Sequence, residues 1–71
     1  MAEHSKRAIW LAVNSEHGDR LLEIAQEHTQ LAREVAENGK HMSEDVAAIY
    51  HARIGQLRKE RDGIISQFEG K

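Results

Sequence analysis

The chain has 71 residues, enough for one small domain, and no cysteine, so neither a disulfide nor a cysteine zinc site can staple it. A chain this short buries only roughly 60% of its unfolded surface, which leaves oligomerisation as the stabilising route still open. No proline, 31% charged residues and a formal net charge of −2 fit a helical protein and exclude a disordered one.

The densest apolar run, AIWLAV at 8–13, is too short to span a bilayer. Lys6 and Arg7 precede it, but it lacks the small-residue cleavage site of a secretory signal, so a soluble, cytoplasmic protein is expected. Ser5 can cap a helix that starts at Lys6. From there apolar periodicity continues to Glu37, with a heptad seam of Trp10, Asn14, His17, Leu21, Ile24, His28, Leu31 and Val35. Beside it runs a row of Leu11, Gly18, Ala25 and Ala32, whose small members allow close backbone approach. Asn14, Ser15 and Gly18 are weak helix formers, so a break at 14–16 is possible. The seam nevertheless keeps its phase through that stretch, and the sequence predicts one long helix over 6–37.

The strongest punctuation is ENGKHMSED. Asn38-Gly39 can supply the left-handed conformation that ends a helix, and Ser43 followed by Glu44 and Asp45 suits the start of the next. A turn at 38–42 and a second helix over 44–68 follow. That helix has its own row of Ala47, Tyr50, Ile54, Leu57, Arg61, Ile64 and Phe68, widened by Val46, Ile49 and Ile65. An early end at Asp62-Gly63 is the alternative. A short turn forces the two helices antiparallel, so that His28 meets Ile54 and Leu21 meets Arg61. The apolar faces are wider than a pair of helices needs. The expected fold is therefore all-α, an antiparallel helical hairpin that pairs with a second copy as a homodimeric four-helix bundle.

Little in the chain suggests catalysis. The residues three before His17, His28, His41 and His51 are Asn14, Ala25, Asn38 and Ala48, none of which completes a one-turn metal pair. There is no nucleophile elbow and no glycine-rich phosphate loop. Acids fall at solvent positions, where Glu16–Arg20 and Arg33–Glu37 can pair one turn apart. No enzymatic activity, metal, cofactor or small-molecule substrate is expected.

Two binding readings remain. Ile9, Trp10, Leu11 and Val13 are left partly uncovered by antiparallel pairing, and tryptophan is enriched at binding hot spots. They would suit an adaptor, a chaperone of another helix, or an inhibitor. The same stretch could instead close the end of a dimer core. The second reading is a nucleic-acid-binding regulator that uses Arg53, Arg58 and Lys59 on the second helix. Against it stand the negative net charge and the aromatic residues, which all fall on seam rows. Polar residues within the seams, namely Asn14, His17, His28 and Arg61, are expected to fix pairing register, because each penalises an arrangement that sets it against an apolar wall.

Overall fold

A computed structural model describes residues 4–70. Among them there are three α-helices and no strand: α1 (Lys6–Val13), α2 (Gly18–Asn38) and α3 (Glu44–Ser66), with a 3-10 turn (Gly39–His41) between α2 and α3. Among the described residues, no helix is long and apolar enough to cross a membrane.

The single helix expected over 6–37 is two helices, and local chemistry explains the break. Asn14 donates to the Trp10 carbonyl from both its backbone N–H (3.0 Å) and its side-chain amide (2.8 Å). Ser15 Oγ donates to the Ala12 carbonyl at 2.6 Å and accepts from the His17 N–H at 3.1 Å. These short polar side chains take over groups that a continuing helix would use. Gly18 completes the corner. A Cβ there would lie 2.2 Å from the Val13 carbonyl oxygen, a distance no real side chain tolerates. Only glycine lets the backbone fold back so closely.

The other boundaries follow sequence more closely. Ser5 Oγ accepts from the Ala8 N–H at 3.1 Å and caps α1. Ser43 Oγ does the same for α3 from the Val46 N–H at 3.2 Å, with Glu44 and Asp45 in the first turn. α3 passes through Asp62 and Gly63 and ends at Ser66, two residues before the expected Phe68. Gly39, expected to turn left-handed, has φ −55° instead. There the chain tightens into the 3-10 turn, which needs no positive φ.

Cross-helix pairs show how α2 and α3 lie. Arg20 bonds Glu60, Glu27 bonds Arg53 and Glu34 bonds Tyr50, so residue number rises on one helix as it falls on the other. The two run in opposite directions. Arg20 thus reaches across to α3 rather than pairing with Glu16, which lies in the corner before α2. Arg61, expected in the seam, points outward and bonds the neighbouring Asp62 at 3.2 Å.

The core consists of Ala8, Ala12, Leu21, Ile24, Leu57, Ile64 and Ile65, with Leu31 and Phe68 packed against it. α1 enters through two alanines one turn apart, Ala8 and Ala12, at 1% and 0% exposure. Between residues 25 and 56 no side chain is fully buried. The molecule is elongated, 45 × 24 × 15 Å, with a radius of gyration of 14.2 Å. A compact domain of this length would have roughly 11 Å. α1 therefore closes one half of the α2–α3 pair and leaves the half nearer the turn as two helices alone.

Candidate interaction surfaces

α1 has two different faces. Ala8 and Ala12 point inward, which leaves Ile9, Trp10 and Val13 outward at 41%, 64% and 53% exposure. Leu11 is half-buried, so three of the four residues singled out from sequence form the outer surface. Small inward residues bring α1 close to α2 and α3, and the large apolar residues are what that close approach leaves outside. The N-terminal end of α1 is held by polar contacts that sequence alone gave no reason to expect. His4 Nε2 lies 3.2 Å from Asp62, and its Nδ1 3.5 Å from Glu69. The Ser5 N–H donates to Glu69 Oε1 at 2.9 Å.

The α2–α3 contact has two unlike flanks. One is closed by polar pairs. Arg20 forms a forked bond to Glu60, with Nη2 2.6 Å from Oε1, and Arg53 forms another to Glu27, with Nη2 3.0 Å from Oε1. The Tyr50 hydroxyl donates to Glu34 Oε2 at 2.6 Å. These bonds hold the Glu60 and Glu27 carboxylates below their ordinary range and raise the two guanidinium groups. Accepting a hydrogen bond, Glu34 raises the Tyr50 phenol in the same way. Asp62 is pushed up by burial, but hydrogen bonds from His4 and Arg61 outweigh that and leave it lowered.

The opposite flank is open. A cavity of about 270 Å³ has Ile9, Val13, Leu21, Ile24 and Ile65 among its lining residues. A second, of about 320 Å³, includes Ala32, Val35, His51, Ile54 and Gly55. The two adjoin at His28 and Arg58, which line both. His28 is half-buried, and its Nε2 has no access to solvent and no hydrogen-bond partner. Arg58 is exposed and has no ion-pair partner among the described residues. A larger hollow, of about 670 Å³, is lined by residues of α2 alone, from Ala25 to Glu37, so it is a depression beside one helix rather than a cleft.

The basic residues Arg53, Arg58 and Lys59 do not form one stripe. At 3.6 residues per turn, Arg58 and Lys59 stand roughly 140° and 240° around the helix from Arg53. Arg53 is also already engaged by Glu27. Asn14, His17, His28 and Arg61 are likewise dispersed. Asn14 caps α1, His17 precedes α2 with its ring edge-on to Phe68 at 6.4 Å, His28 faces the open flank and Arg61 lies at its rim. Among the described residues, no three His, Asp or Glu side chains converge to hold a metal ion. Compared with known proteins, the chain matches no family model, no curated protein and no solved structure.

Proposed function

We propose that this chain is a non-enzymatic interaction protein, an adaptor, chaperone or inhibitor, that binds another protein through the outer face of α1. The observation that carries the reading is the exposure of Ile9, Trp10 and Val13 on a helix whose own packing uses only Ala8 and Ala12. A tryptophan 64% exposed beside two aliphatic residues contributes nothing to the core of this chain, yet it is the side chain most enriched at binding hot spots. α1 is also held at its N-terminal end through His4 and Ser5, so the surface is presented in one orientation.

A second reading is self-pairing, in which α2 and α3 act as an antiparallel hairpin and two copies form a four-helix bundle. The exposed apolar residues away from α1 favour it: Leu22 at 58%, Val46 at 40% and Ile49 at 68%. Co-purification of the wild-type chain and Trp10→Ala from the native host tests the protein-binding reading, and light scattering of the purified chain tests self-pairing. A protein partner that persists between about 50 and 200 mM salt and is lost with Trp10 is expected. Nucleic acid that dissociates steeply over that range, and is lost on reversal of Arg58 and Lys59 to glutamate, would overturn the protein-binding reading.

A further inference from the structure

We infer that the open flank between α2 and α3 receives an amphipathic helix of another protein, one whose apolar face carries a carboxylate that meets Arg58. This rests on the protein-binding reading above but concerns an adjoining surface, which shares Ile9 and Val13 with the outer face of α1 and leaves Trp10 outside it. Two cavities meet at His28 and Arg58, and no aspartate or glutamate lines either of them. The flank thus holds an exposed guanidinium with no carboxylate beside it. Arg58 can donate two parallel bonds through its planar fork. A carboxylate accepts two such bonds at once, and charge assistance strengthens them. On the other flank, Arg20 and Arg53 already have glutamates of their own.

The shape specifies a helix. α1 already packs against α2 and α3 by placing Ala8 and Ala12 at close range. Beyond α1 the walls remain small: Ala25, Ala32 and Gly55 line the cavities, and a Cβ at Gly55 would meet nothing within 4 Å. Val35 and Ile54 supply an apolar lining. This is the groove geometry in which an amphipathic helix lays down its apolar face. A second copy of this chain fits poorly, because the flank lining carries Arg58 and Arg61 and no carboxylate, so two-fold pairing offers Arg58 no counterion. A nucleic-acid strand fits poorly too, since its phosphates require a row of cations and the flank is largely aliphatic.

The test uses synthetic peptides of ~15 residues, near the shortest that hold helix alone in water. They are alanine–leucine helices with glutamate, glutamine or lysine at the centre of the apolar face, titrated onto ¹⁵N-labelled protein. The glutamate peptide is expected to shift the amides of His28, Ala32, Gly55 and Arg58, and to bind about tenfold or more tightly than the glutamine peptide, the margin of a hydrogen bond to a charged group. Arg58→Gln, at an exposed position, should keep the helical circular dichroism and erase that margin. Gly55→Leu should keep the fold and block the peptide by filling the flank. Trp10→Ala should leave peptide binding unchanged, so that failure at α1 and failure at this flank are told apart. Equal binding of the three peptides, no binding, or shifts confined to other residues would overturn the inference. So would shifts at His28 and Arg58 produced by raising protein concentration alone, or by a short RNA.

Discussion

Gly18→Ala distinguishes a broken first helix from a continuous one by the sign of a stability change. In the structure, the added Cβ would stand 2.2 Å from the Val13 carbonyl oxygen, where ordinary contact begins at 3.4 Å. About 1.2 Å must therefore be found between two stretches of backbone, with no side chain to swing aside. The Val13 carbonyl belongs to the last turn of α1, and moving it disturbs the seating of Ala12, which is 0% exposed. Overpacking of this kind costs about 1–3 kcal/mol. Alanine's better helix propensity and lower unfolded-state entropy return at most about 1 kcal/mol. The net expectation is a loss of about 1–2 kcal/mol, or roughly 4–16 °C in Tm for a domain of this size. A continuous helix over 6–37 would place residue 18 in its interior and make the same change stabilising by about 1 kcal/mol. Urea melts followed by circular dichroism give the answer. Gly55→Ala and Gly63→Ala are the controls, because both sit inside α3 with open space at Cβ and should gain about 0.5–1 kcal/mol each. If Gly18→Ala gains stability alongside them, the corner at 14–17 is wrong and α1 continues into α2.

Stability should fall in acid, because Glu27 and Glu60 are held below their ordinary 4.5 by Arg53 and Arg20; it is full above that value and lost as pH drops through the folded values. Asp62, lowered from 3.8, acts in the same direction, and replacing Arg20 and Arg53 with glutamine should flatten the limb read from urea midpoints. In alkali the sign reverses: Tyr50 is raised above 10.0 by Glu34, so its contribution is full below 10.0 and lost as pH rises through the folded value, a limb that Tyr50→Phe should remove. All of these pairs lie near the surface, so both limbs should be shallow and should weaken with salt. Ala12→Leu should destabilise by about 1–3 kcal/mol through overpacking, measured by the same melts; an unchanged midpoint would mean that α1 is not seated on α2 and α3. Trp10→Ala, by contrast, should move the urea midpoint by no more than about 0.5 kcal/mol, as befits a surface side chain.

What could be read from the chain divides along physical lines. Both serine caps were legible, because a capping oxygen acts on an N–H three residues away and needs no distant partner. The break after Val13 was visible only as a run of weak helix formers. Heptad phase survives across residues 14–17 whether or not the backbone does, so periodicity could not decide it. Arg61 was assigned to the seam by row counting, yet a guanidinium beside Asp62 is better satisfied at the surface. Trp10, also on a seam row, is outside because α1 turns its alanines inward, a choice made by tertiary contact. The forked bonds from Arg20 and Arg53 depend on which helix lies alongside, and local spacing favoured Glu16 for Arg20 and named no acid for Arg53. The open flank was the least legible feature. Ala25, Ala32 and Gly55 look alike in sequence whether a helix covers them or not.

The placement of the core bears on how the chain becomes a folded molecule as it is synthesised. Among the described residues, every fully buried side chain belongs either to residues 8–24 or to residues 57–65. The middle of the chain contributes none, so a nascent chain that has reached Ile54 possesses helices but no core to hold them together. α1 and the first turns of α2 must wait, with Leu21 and Ile24 uncovered, until Leu57, Ile64 and Ile65 have emerged. Such dependence on contacts far apart in sequence slows folding relative to other helical proteins and prolongs the exposure of apolar surface. The same geometry sets a gradient of local opening in the finished molecule. Amides near the 3-10 turn, with no buried layer beneath them, should exchange with solvent soonest, and those around Leu57 last.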